Sequence, residues 1–190
     1  MMKTVPDIFP VTPDRWDDIE KLFGPRGACG GCWCMFWKLP HKEFEAGQGE
    51  GNRLAQKAII ASGRIPGLIA YVEGVPAGWI AVEPRGEYGG LARSRVLAPL
   101  DDKPVWSVTC FFVDKKFRRQ GLTVALLEAA VKYVKSKGGK MVEGYPTETK
   151  DEKAPAAFIY TGTMSAILQA GFTEAGRRSE KRPIMRCFIK

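Results

Sequence analysis

A single-domain α/β fold built on a mixed sheet is what this sequence predicts, on three observations. The stretch "VWSVTCFFV" (105–113) is a nearly continuous run of β-branched and aromatic residues, suited to a central strand buried on both faces. Directly after it come the strongest helical period in the chain and then a second strand-like run, "KMVEGYP". Strand, helix and strand in that order form a unit whose strands lie parallel with a right-handed crossover. Finally, 190 residues with 45% hydrophobic content suffice to bury one core.

The other elements follow in order. "TVPDIFPV" reads as a short first strand, and "TPDRWDDIEKLFG" as a helix capped by Thr12 or Asp14, acidic in its early turns and stopped at Gly24 before Pro25. Residues 25–51 are glycine-rich and carry "CGGCWC" and "WCMFW". Helix returns at "NRLAQKAIIASG" and ends at Gly63, and "GLIAYVEGVPAGWIAVEP" is a hairpin turning at Glu73 and Gly74. Residues 84–104 lack periodicity and read as a long loop. Beyond the central strand, Leu122, Ala125, Leu126, Ala129, Ala130, Tyr133 and Val134 recur at helical spacing. Gly138 and Gly139 end that helix, with Lys132, Lys135 and Lys137 complementing its dipole. A short helix over 163–170 and two strands, "FTEAGR" and "PIMRCFI", complete the sheet.

Composition excludes several classes. The formal charge is +8, from 29 Lys and Arg against 21 Asp and Glu, which suggests an anionic partner. The basic residues scatter, however, clustering only at 115–119, 132–140 and 177–182, and no zinc finger or aromatic RNA-binding signature occurs. No nucleic-acid partner is therefore expected. With no apolar run of membrane-spanning length and no signal-peptide h-region, a soluble cytoplasmic protein without a membrane partner is expected. Five cysteines in such a compartment stay reduced. Cys29, Cys32 and Cys34 with His41 could hold zinc, but a second C-x-x-C is missing, and no metal is expected.

"KKFRRQGLT" concentrates four basic residues and a glycine where strand hands over to helix. The first helical N–H groups there have no intrahelical partner, and the macrodipole adds partial positive charge. Gly121, lacking Cβ, lets backbone approach an anion closely, while Arg118 and Arg119 add charge in a geometry that suits phosphate. The junction reads as a phosphate cradle. Neither GxxxxGK[ST] nor GxGxxG is present, so it is not a nucleotide P-loop or a dinucleotide turn.

The segment "FFVDKKFRRQGLTVALLEAAVKYVKSKG" resembles the coenzyme A-binding segment of the GNAT superfamily of N-acetyltransferases. Val113, Arg118, Gly121, Thr123 and "ALL" (125–127) fall where that family has its strand-ending valine, its [Q/R]-x-x-G-x-[G/A] turn and its helix start. "MVEGYP", "ILQAGF" and "VPAGWIAV" are similar to further family strands and the terminal "YxxxGF" element. The resemblance implies a mixed, centrally splayed sheet flanked by helices, direct transfer of an acetyl group from acetyl-CoA to a primary amine of a small molecule, and a protein that is a monomer or homodimer. A protein lysine or N-terminal acceptor, or a noncatalytic acyl-CoA-binding module, stands as the alternative.

Residue by residue, the resemblance implies that the coenzyme diphosphate sits on Arg118, Arg119, Gln120, Gly121, Leu122, Thr123 and Val124. It places the pantetheine arm and acetyl carbonyl along Phe111, Phe112 and Val113. Glu143 takes the place of a family glutamate that serves as base, although a strand-edge glutamate paired with a lysine is an equal reading, and Glu83 is the second candidate. The family's usual acid, a tyrosine four residues before the glycine of "GF", is Ile167 here. Isoleucine cannot donate a proton, which leaves Tyr160 first and Tyr145 next as donor, or solvent. Thr123 replaces a preferred Gly or Ala. Cys110 reads as a buried apolar residue. Residues 25–51, with Trp33, Phe36 and Trp37, are expected to cover the acceptor side, with plain core packing of the same aromatics as the alternative.

Overall fold

The computed structural model describes residues 5–148 and 160–190. Strand β1 (Asp7–Pro10) leads through a 3₁₀ turn at Pro13–Arg15 into helix α1 (Trp16–Phe23). Thr12 holds an extended conformation ahead of Pro13, but its hydroxyl accepts from Arg15 Nη1 at 2.9 Å and caps no backbone N–H, and Asp14 pairs with Arg15. Gly24, at φ +63°, ends α1 as expected. Residues 25–51 are not irregular throughout: α2 (His41–Ala46) lies within them, and α3 (Glu50–Ala61) begins inside them.

Strands β2 (Gly67–Val72) and β3 (Val75–Pro84) form the hairpin. Glu73 at φ +51° and Gly74 at φ +76° are both left-handed, the arrangement whose twist matches paired strands. The stretch 84–104 contains a 3₁₀ turn at Arg85–Glu87 and the short helix α4 (Gly89–Arg93), elements too brief to show a period. Next come β4 (Trp106–Val113), α5 (Leu122–Ser136), β5 (Met141–Gly144), α6 (Met164–Gln169), β6 (Thr173–Arg177) and β7 (Pro183–Phe188). The Thr163 hydroxyl caps α6 by accepting from the Ala166 N–H at 3.3 Å.

These strands make one seven-stranded sheet in the order β1-β2-β3-β4-β5-β7-β6. Among these seven strands only the β4–β5 pair is parallel, as the β-α-β order requires. On one face α5 packs Leu122, Leu126, Leu127, Ala130 and Val134 against Ile80, Val82, Val108 and Val142. On the other, Trp16, Ile19, Leu22 and Phe23 of α1 pack with Trp33 against Ile69, Trp79 and Ala81.

Two irregularities shape the middle of the sheet. The β4–β5 pairing runs only from Trp106↔Val142 to Val108↔Gly144, after which β4 continues through Val113 without a β5 partner. The splay expected at the centre is thus present. At the same level Ala81 pairs with Cys110 and Val82 with Val108, so Thr109 is an extra residue in β4. Such a bulge bends the strand and shifts its side-chain alternation. It is why Val108 packs under α5 whereas Cys110, two residues on, packs on the α1 face.

Candidate functional site

The strand–helix junction is built by local hydrogen bonds. The Asp114 carboxylate accepts from the Lys116 N–H at 2.9 Å and starts the short turn Lys115–Phe117. Gln120 Nε2 donates to the Lys116 carbonyl at 2.9 Å, and Arg118 Nε to the Val113 carbonyl at 3.0 Å. Arg118 therefore braces the strand end with one nitrogen, and its two terminal nitrogens, which have no partner among the described residues, are left for an anion. Arg119 at φ +60° and Gly121 at φ +86° are both left-handed, and they turn the chain into α5. The N–H groups of Val124 and Ala125 bond the Gly121 carbonyl, at 3.0 and 3.2 Å. Those of Leu122 and Thr123, ahead of them, have no acceptor among the described residues. A Cβ built on Gly121 would meet nothing within 4 Å, so the space over these N–H groups is open.

That space is one end of a cleft of about 1190 Å³ running along the free edge of β4. Of the residues expected to hold the coenzyme, Phe111, Phe112, Val113, Arg118, Arg119, Gly121, Leu122, Thr123 and Val124 all line it, and Gln120 does not. Where β5 has left β4, the Phe111 N–H donates to the Tyr160 carbonyl at 2.6 Å. The opposite wall comes from residues 28–44, including Cys32, Cys34, Phe36, Trp37 and Phe44. Trp33 does not line this cleft but stacks on Trp16 in the α1 core, ring centroids 5.8 Å apart.

Tyr160 lines the cleft, and burial pushes its hydroxyl up to about 12, so it keeps its proton at neutral pH. Glu143 is placed elsewhere. It is 1% exposed and is not among the cleft-lining residues. Its Oε1 accepts from Arg186 Nε at 2.8 Å, and its Oε2 from Tyr145 OH at 2.7 Å and Arg85 Nη1 at 3.2 Å. Both oxygens are thus engaged, and by arginines of β7 and the Arg85 turn rather than by a lysine. Tyr145 also contacts Ser107 Oγ at 2.7 Å, and burial holds its phenol well above the usual range. Arg186 in turn makes a two-pronged pair with Asp101, at 2.6 and 3.0 Å.

Glu83, the other candidate carboxylate, is equally occupied. It lies beside Ser107, which in turn pairs with Glu143, so the three stand in a row across β3, β4 and β5. Lys38 and Arg64 both bind it, the latter at 2.7 Å. Desolvation lowers the Lys38 pKa against the opposing pull of Glu83, and the ammonium lies 4.6 Å from the Tyr88 ring centroid. Ile167 is fully buried at the base of the splay, where its Cδ1 would sit 3.1 Å from a Cβ on Gly144. It fills space and carries no proton.

Cys34 and Cys110 bring their sulfurs to 3.2 Å, a buried contact across 76 residues that no sequence signal announced. Hydrogen bonding within the thiol cluster, together with burial, pushes Cys32 and Cys34 well above the usual thiol range. Among the described residues no group of three or more His, Cys, Asp and Glu side chains could hold a metal ion, and His41 pairs with Glu45 on α2. Nor, among those residues, is any helix long and apolar enough to cross a membrane. The sequence reading missed Lys38, Arg85 and Arg186, whose bonds to Glu83 and Glu143 span 43 to 58 residues.

A model of the acetyltransferase (GNAT) family matches residues 33–158. No curated protein matches the sequence. Among solved structures, a GNAT-family acetyltransferase from Listeria monocytogenes superposes with a TM-score of 0.58 at 11% identity, over 97% of this chain and 95% of that one. One from Streptococcus agalactiae gives 0.57 at 16% identity, over 97% and 96%. The PaiA N-acetyltransferase from Thermoplasma acidophilum, in complex with coenzyme A, gives 0.55 at 13% identity, over 97% and 99%. At these identities the likeness is one of fold.

Proposed function

Since the chain belongs to the GNAT family of acetyltransferases, we propose that it transfers an acetyl group from acetyl-CoA directly to a primary amine, with a small molecule as acceptor. The observation that carries this reading is the open cradle at Gly121. Its free N–H groups, left-handed backbone and unobstructed Cβ direction suit the coenzyme diphosphate. Lys115, Arg118 and Arg119 surround it with positive charge. Pantetheine would extend along Phe111, Phe112 and Val113, where β4 has lost its β5 partner.

In this reading the Phe111 N–H polarises the thioester carbonyl once the Tyr160 carbonyl gives way. The amine nitrogen bonds to the carbonyl carbon, the carbon–sulfur bond breaks, the Tyr160 hydroxyl gives its proton to the departing sulfur, and the proton that the nitrogen sheds passes through cleft water to restore the phenol. Support for Tyr160 is its place in the cleft and its retained proton. For the base, Glu143 is the family position, but its two oxygens are taken by Arg85, Arg186 and Tyr145. We therefore assign Glu143 to holding β4, β5 and β7 in register, and deprotonation of the ammonium to water in the cleft.

The test is release of coenzyme A thiol from acetyl-CoA with a panel of amines, alongside calorimetric binding of acetyl-CoA. Binding with amine-dependent thiol release supports transfer. Ile167 at the usual tyrosine position favours one other reading, a noncatalytic acyl-CoA binder, and binding without transfer to any amine or peptide in the panel would decide for it.

A further inference from the structure

Resting on the acetyl-transfer reading above, we infer that the acceptor is a singly charged primary amine on an aromatic or comparably flat apolar body, selected by Phe36, Trp37, Phe44 and Tyr160. All four rings line the cleft. Phe36 stands at their centre, with ring centroids 5.2 Å from Trp37, 5.4 Å from Phe44 and 6.3 Å from Tyr160. Each pair is close to perpendicular, the edge-to-face arrangement that aromatic rings favour. Yet Phe36 remains 41% exposed. A contiguous apolar surface is thus left open inside a concave site, and such surfaces mark ligand contacts. Cys32, Cys34 and Cys110 continue the lining without adding charge.

Selectivity follows equally from what the wall lacks. Among the described residues that line the cleft none is a carboxylate, and its charged groups are Lys115, Arg118 and Arg119 at the cradle end. A polyamine or an aminoglycoside brings several ammonium groups. Each would lose hydration with no carboxylate among the described lining residues to pair with, against a chain of net charge +8. A lone amine escapes that penalty, because its reactive form is neutral. Its body then covers Phe36, and burial of flat apolar surface on rings supplies the affinity.

Steady-state kinetics at saturating acetyl-CoA test this with phenethylamine, ethylamine, spermidine and kanamycin. The kcat/KM for phenethylamine is expected to exceed each of the others by about tenfold or more. Phe36→Ala should erase the advantage over ethylamine while calorimetric acetyl-CoA affinity is unchanged, and Phe44→Leu should reduce it as a second, milder variant. If acetyl-CoA binds but no amine is acetylated, titrating the four amines into the acetyl-CoA-loaded protein still ranks them. A protein that does not bind acetyl-CoA overturns the transfer reading instead, and titration into the protein alone then judges the wall. Preference for spermidine or kanamycin, or equal values for phenethylamine and ethylamine, overturns the inference.

Discussion

The backbone N–H of Phe111 donates to the carbonyl oxygen of Tyr160 at 2.6 Å, across the gap where β4 and β5 have parted. A strand edge left open by the splay is thereby satisfied by backbone from beyond β5, as buried polar groups require. The same contact fixes the Tyr160 phenol in the cleft wall, against Phe36. Phe111, the proposed carbonyl donor, and Tyr160, the proposed acid, are thus brought to the same end of the gap.

Tyr160→Phe should reduce turnover by roughly 10²-fold or more, the scale of a lost general acid, with acetyl-CoA affinity near normal. The Tyr160 hydroxyl, raised to about 12 by burial, is protonated throughout the neutral and mildly alkaline range. The loss should therefore be the same at every pH from about 6 to 9. An undiminished Tyr160→Phe enzyme would leave solvent as the proton source.

Reversing charge at Arg118 and Arg119 together should weaken acetyl-CoA binding by roughly ten- to a hundredfold, and more at low salt than at high. Both side chains are exposed, so the fold should survive. Calorimetry at two ionic strengths reads the effect. Unchanged affinity would remove the cradle from the coenzyme site.

Gly121→Val should abolish coenzyme binding while leaving a folded protein. At φ +86° the new residue is strained by about 1–2 kcal/mol, and its side chain projects into the open space above the Leu122 and Thr123 N–H groups. A melting experiment should show a modest loss of stability and calorimetry no binding. Normal binding would make the glycine incidental.

Glu143→Gln should act on stability first. It leaves Arg85 and Arg186 facing a neutral amide in a buried network, a change of about 3 kcal/mol by urea unfolding. In the folded variant, turnover at saturating substrate should stay within a few-fold. A fall of about a hundredfold or more, with loss of the acid limb of the pH profile, would restore Glu143 as the base. The same network makes the protein acid-sensitive. Arg186 holds Asp101 at about 2, below the ordinary 3.8, so its contribution is present above about pH 4 and is lost as pH falls through 2. Asp101→Asn should flatten that part of the stability curve.

Iodoacetamide at pH 8 should label Cys29 before Cys32 or Cys34. Cys29 is exposed, whereas Cys32 is half-buried, Cys34 is buried, and hydrogen bonding within the thiol cluster together with burial holds both protonated. Mass spectrometry of peptides at short times measures the order, and early labelling of Cys34 would contradict the packed thiol pair with Cys110.

By itself the sequence determined what neighbouring residues decide. The apolar run 105–113, the period from Leu122 to Val134, the left-handed pair at Glu73 and Gly74 and the basic turn before Gly121 are short-range signals, and each element formed where its signal lies. The cradle was legible for the same reason, because strand end, glycine and helix start are contiguous. Tertiary structure alone decided the chemistry around it. Whether Glu143 is a free base or a paired anion depends on Arg85 and Arg186, which no local pattern couples to it. Whether Cys110 faces Cys34 or α5 depends on one bulged residue, Thr109, since side chains alternate with period two and an inserted residue reverses the face. Burial then sets the energies: a carboxylate desolvated within a sheet is held by its partners, and those partners are chosen by the packing of strands far apart in the chain.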